Sequence, residues 1–97
     1  MRDYLSAKLE AVNDEASFIA FVAALSDDFA DASKKENEKP SSPYGPSANG
    51  WENVGLKSFL ESAAAWAEDR KNSDHYRPPM NPWRRCAEIL YAGKSYE

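Results

Sequence analysis

The stretch from Trp51 to Ala67, WENVGLKSFLESAAAWA, constrains the fold of this chain more than any other segment. At 100° per residue, Leu56, Phe59, Leu60, Ala63, Trp66 and Ala67 share one stripe, and Lys57, Ser58, Glu61 and Glu68 fall opposite. This spacing predicts an amphipathic helix, whose apolar stripe must be covered by another surface. Asn53 is the expected N-cap, with Trp51 just outside it and folded back onto the first turns. Lys57 and Glu61 are spaced to form an exposed i, i+4 pair.

The rest of the chain supplies surfaces to cover that stripe. Leu5, Leu9 and Val12, with Tyr4 on their flank, predict a short first helix. Asp14 is placed to cap a second helix, so a break falls at Asn13-Asp14. From Glu15 to about Lys35, the residues Phe18, Phe21, Val22, Leu25, Phe29 and Ala32 form a second stripe. Asp27, Asp28 and Asp31 lack the glycine turn and terminal bidentate glutamate of a calcium loop, and read as a solvated acidic face.

The last helix is bounded by Asn81 as cap, Pro82 in the first turn and Gly93 as an expected left-handed stop. Its stripe is Trp83, Cys86, Ala87, Leu90 and Tyr91, widened by Ile89, and should pack on the helix after Trp51. Trp66 and Trp83 are both expected in that shared core.

Residues 36–50 carry three Pro, two Gly and three Ser with no apolar period, and are expected to form a flexible loop with Tyr44 as its one large side chain. Residues 72–80 form a second irregular connection. The expected architecture is therefore all-α: one helical domain over 1–97, a small bundle of three to four helices with a long irregular loop before the third. A short strand pair near Trp51 or Tyr96 is the lesser alternative.

A net charge of −4 argues against a nonspecific nucleic-acid binder, which normally carries a basic face. The single cysteine, Cys86, excludes an internal disulfide, and together with the single histidine, His75, excludes a Cys/His zinc site. A reducing cytoplasm is the expected location. The longest apolar run, Phe18 to Leu25, is too short to span a bilayer, so neither a membrane helix nor a signal peptide is expected.

No motif specifies a reaction. There is no phosphate loop, dinucleotide fingerprint or HExxH. Cys86 reads as a small core hydrophobe and His75 as a loop residue remote from it. Glu88, four residues after Arg84, reads as its structural ion-pair partner ahead of a catalytic acid. Arg84 and Arg85, joined by Arg77, make a basic spot near a helix N-terminus that suits an anion. No cofactor or metal is expected, and no catalysis.

Trp51-Glu52-Asn53, Leu56, Phe59-Leu60 and Trp66, followed by Pro82-Trp83-Arg84, Ala87-Glu88-Ile89-Leu90, Ala92-Gly93 and Tyr96-Glu97, form a pattern that resembles a family of short uncharacterised bacterial proteins. Ser17-Phe18 and Phe21 fit it too. The resemblance implies a bacterial, cytoplasmic, stand-alone domain and carries no catalytic or binding residues across. The leading expectation is a noncatalytic protein-binding module, analogous in character to acidic inhibitors or immunity proteins. The interaction residues it singles out are Tyr44, Trp51, Arg84, Arg85, Glu88 and Tyr96. A small enzyme or anion/ligand binder near the start of the last helix is the first alternative. A homo-oligomeric structural protein, with Tyr4, Ile19, Tyr91 and Tyr96 as surplus apolar surface, is the second. The expected partners are accordingly another protein or a second copy, with no nucleic acid and no membrane.

Overall fold

The computed structural model describes residues 4–42 and 47–96, and over these the chain is all-α. Helix α1 spans Tyr4–Glu10, α2 Glu15–Glu38, α3 Leu56–Lys71 and α4 Pro82–Gly93, with a 3₁₀ turn at Ala48–Gly50. No strand occurs among the described residues. Tyr44 lies outside them.

The break between α1 and α2 follows from a reciprocal cap. Asp14 Oδ1 accepts from the Ser17 amide at 2.8 Å, while Ser17 Oγ accepts from the Asp14 amide at 3.0 Å. Two otherwise free donors are thus satisfied at the start of α2. Asn81 caps α4 as its position predicts, accepting from the Trp83 amide at 2.9 Å. The Asn81 amide group also donates to Asn13 O at 2.7 Å, and Arg84 reaches Glu10 O at 3.0 Å. The start of α4 therefore clamps the corner where α1 turns into α2.

Helix α4 is the central element, packed on α1, α2 and α3. Phe21 and Ala87 are fully buried, and Leu5, Val12, Ala24, Leu25, Ala32, Trp51 and Ala63 are nearly so. Phe18 meets Trp83 with ring centroids 5.5 Å apart, joining α2 to α4.

Several expectations are corrected. Helix α2 continues to Glu38, because Glu36 collects the next segment: Ser41 N and Oγ and Ala48 N all donate to its carboxylate. The irregular connection is shorter than 36–50 by this extension and by the 3₁₀ turn. Asn49 and Gly50 adopt positive φ of 56° and 78°, as an Asn-Gly turn requires. Gly55, with no side-chain cap, precedes α3, while Asn53 donates to Gly93 O and Tyr96 O at 3.0 Å each. The α3 stripe is wider than its contact: Leu56 is 75% and Leu60 52% exposed, because α2 does not pack on α3. Val22 is exposed for the same reason, and Ala24 takes a buried place on α2.

Trp66 and Trp83 do not share a core. Trp83 joins Phe18, whereas Trp66 stands outside the main cluster, edge-on to Tyr76 at 6.0 Å. Cys86 is exposed, since the residues of α4 that face its neighbours are Ala87, Leu90 and Tyr91. Gly93 is not a left-handed stop but the last helical residue of α4, and its role is close approach. A Cβ there would stand 2.9 Å from Phe59 O and 3.2 Å from Ala63 Cβ. The missing side chain lets α4 seat against α3.

Two predictions follow from these contacts. In a helix, Gly→Ala ordinarily gains about 1 kcal/mol, but Gly93→Ala collides with backbone and should instead destabilise by roughly 1–3 kcal/mol, read as a lowered urea midpoint at unchanged m. The carboxyls of Asp14, Asp31 and Glu36 are held below the usual range, foremost by side-chain hydrogen bonds from Ser17, Asn49 and Ser41 respectively. A depressed folded value means stability that is present above the unfolded carboxylate range and lost as pH falls through the folded value. The urea midpoint should therefore drop as pH falls below about 4. Glu36→Gln should shrink that drop and speed amide exchange at Ser41 and Ala48 already at neutral pH.

Candidate interaction site

Trp51 is the residue from which the main surface feature is built. Its ring is 4% exposed, edge-on to Phe29 at 4.9 Å and stacked on Phe59 at 5.9 Å. Its indole N–H donates to Asp28 Oδ2 at 2.7 Å, and Lys94 Nζ donates to the same oxygen at 2.8 Å while lying 5.6 Å from the ring. Lys94 O in turn accepts from the amides of Glu52 and Asn53. Residues 51–53 are thus fastened to α2 and to the end of α4 together. The lesser alternative, a short strand pair near Trp51 or Tyr96, does not form among the described residues; these two backbone hydrogen bonds to one carbonyl are what joins the segments. Asp28, read as solvated from its neighbours in sequence, is the acceptor at the centre of the clasp.

Fastening residues 51–53 in this way props α3 away from α2. Between the two helices lies an open apolar groove of ≈ 470 Å³, walled by Val22, Leu25, Ser26 and Phe29 on one side and Val54, Gly55 and Leu56 on the other, with Phe59, Trp51 and Leu90 along its floor. Phe29, Trp51 and Val54 also line a second depression of ≈ 350 Å³ that runs on past Ser33 to Asn37, so the trough follows α2 for most of its length. Among the described residues, no charged side chain lines the first section, and Glu36 is the only one in the second.

A second concavity, ≈ 690 Å³ and open to solvent, is lined by Leu9, Trp66, Glu88, Tyr91, Ala92, Ser95 and Tyr96. Two of the interaction residues expected from sequence, Glu88 and Tyr96, meet there. Their polar atoms are already engaged. Glu88 Oε1 accepts from Tyr76 OH at 2.9 Å, and Tyr96 OH donates to Asp69. Burial, with the carboxylate of Glu88 next, pushes the Tyr76 phenol up, and the Asp69 hydrogen bond does the same to Tyr96.

The expected basic spot does not converge. Arg84 Nε stands 3.8 Å from Glu88 Oε2, an ion pair too long for a hydrogen bond, and that nitrogen is buried without a hydrogen-bond partner. Arg85 donates to Tyr76 OH at 2.9 Å and lies over the rings of Trp66 and Tyr76 at 5.3 and 5.1 Å. Arg77 turns onto Asp74 O and Tyr76 O, and His75 is exposed. Tyr76, the link among Arg85, Glu88 and Trp66, was missed in sequence reasoning. Its one signal is that it is the one Phe, Tyr or Trp in the connection 72–80.

Among the described residues, no group of three or more His, Cys, Asp and Glu side chains is placed to hold a metal ion, and no helix is long and apolar enough to cross a membrane.

The clasp generates a quantitative test. Asp28→Ala leaves Lys94 buried without its counter-ion and should cost about 3 kcal/mol, whereas the double variant Asp28→Ala/Lys94→Met should recover part of that loss; denaturant unfolding of the two gives the comparison.

Comparison with known proteins places the chain by sequence alone. The model of a family described as a family of unknown function (DUF7660) matches residues 14–97. Nothing among the curated proteins and nothing among the solved structures matches.

Proposed function

This chain belongs to the DUF7660 family of unknown function, and from that starting point we propose that it is a noncatalytic protein-interaction module that binds through the groove between α2 and α3. The observation that carries the reading is that two helices flanking an apolar trough both pack on α4 and not on each other. An amphipathic helix laid in such a trough completes the bundle by covering Leu56, Val54 and Val22, which otherwise stay in water. These residues are not needed to hold the monomer together, which separates binding from folding.

The noncatalytic reading is supported by the second concavity. Its one carboxylate is committed to Tyr76 and Arg84, and the arginines nearby are committed to carbonyls and rings. A small-ligand role for that concavity is the weaker alternative. The reading further places the protein in a bacterial cytoplasm, in keeping with a single exposed thiol on α4 and no cysteine to pair with it. An inhibitor or immunity-like role fits this character by analogy.

Tagged wild-type chain and tagged Leu56→Asp, expressed in the source cell, decide the matter. Wild type should recover a stoichiometric protein partner, whether a different protein or an untagged copy. Leu56→Asp should fold with an unchanged urea midpoint and recover at least tenfold less. Equal recovery by both baits, or none by either at low salt, would overturn the proposal.

A further inference from the structure

We infer that the occupant of the groove is a second copy of this chain, seated by its α2 in antiparallel, two-fold fashion; this rests on the reading of the groove as an interaction site. A foreign helix would have to bring an uncharged, small-residue face with apolar projections. Helix α2 already presents one. At 100° per residue, Ile19, Val22, Ala23, Ser26, Ala30 and Ser33 lie within one exposed to half-buried strip along the groove, and none carries charge; Glu15 enters the strip only at the first residue of α2, where two-fold symmetry about Ser26 sets it opposite Asn37. Asp27, Asp28 and Asp31 point elsewhere on the helix, the last two held by Trp51, Lys94, Asn49 and Lys35. Two molecules of net charge −4 can therefore approach along this strip without placing acids opposite acids.

The surface at stake matches what a dimer requires. Ile19, Val22, Val54, Leu56 and Leu60 are 58, 39, 64, 75 and 52% exposed. Together they leave on the order of 500 Å² of apolar surface in water, about the apolar share of one side of a standard interface. Ridge and trough sit side by side on the same helix, which is what an isologous contact needs: whatever one copy inserts, the other receives.

Symmetry then fixes the register. With the two-fold axis at Ser26, Ile19 of one copy lies over Ser33 of the other, in the continuation of the trough. Ala23 lies over Phe29, and Val22 over Ala30. The small side chains at 23, 26 and 30 permit close approach of the two helices. The 24-residue α2 is about 36 Å long, enough to run the full trough.

Sedimentation of the purified chain from low to high micromolar concentration should show twice the chain mass, and Ile19→Asp should weaken association at least tenfold with unchanged helicity. Ile19→Ser serves as a milder second variant. In a Cys86→Ser background, Ser26→Cys should cross-link to itself under mild oxidation, and Ala20→Cys, 120° around α2 from Ser26 at 100° per residue, should not. A dimer indifferent to Ile19→Asp, or linked as well through position 20, overturns the proposed face. A chain that stays monomeric while its tagged form still captures a different protein, in a manner lost in Leu56→Asp, overturns the second copy and leaves the groove as a site for another partner. A monomer that captures nothing overturns both.

Discussion

One carboxylate, that of Asp28, decides how the second half of the molecule sits on the first. It receives the indole N–H of Trp51 and the ammonium of Lys94, so residues far apart in sequence are fixed at a single oxygen. The consequence spreads outward through backbone hydrogen bonds. Lys94 O holds the amides of Glu52 and Asn53, and Asn53 holds the carbonyls of Gly93 and Tyr96. The entry to α3 is thereby set by contacts outside the helix, which lets that helix start without a side-chain cap. Buried ion pairs contribute little net stability against an apolar substitute, but removing one partner leaves an uncompensated buried charge and is strongly destabilising. Here the pair specifies which end of α4 the Trp51 segment must meet.

Much of the fold was legible in the sequence, because it follows from local chemistry. The helical periods, the Asp14 and Asn81 caps and Pro82 in the first turn all rest on interactions within a few residues. What the sequence did not disclose is which helices touch. The stripe of Leu56, Phe59, Leu60, Ala63 and Trp66 has a correct period, yet only Phe59 and Ala63 meet the core or Gly93, as nothing local says that α2 stands apart. Gly93 illustrates the same limit. Its place at a helix end suggests a left-handed residue, and only the neighbouring helix shows that the absent Cβ matters for contact.

The candidate site was legible only in part. Trp51 was singled out as an interaction residue and is instead the buried floor and pivot of the groove, while the surface for docking is made by Val22, Val54 and Leu56 around it. Arg84, Arg85, Glu88 and Tyr96 do cluster about α4, but their partners are internal. Asp28, Lys94 and Tyr76, which arrange these groups, carry little signal in sequence because their partners lie on other elements of the chain. Charge patterning marks them as surface, and only long-range packing turns them inward.

The clamp at the corner of α1 and α2 bears on what counts as the folding unit. The family match begins at residue 14, so α1 lies outside the matched part of the chain. Yet Leu5 and Val12 are among the most buried side chains, and Arg84 and Asn81 of the shared region donate to carbonyls at Glu10 and Asn13. A polypeptide beginning at Asp14 would uncover Phe21 and Tyr91 and leave Arg84 and Asn81 without those acceptors. In this chain, then, the cooperative unit is larger than the matched region: the leading helix brings two apolar side chains and a pair of carbonyl oxygens to the corner that the rest of the fold closes around.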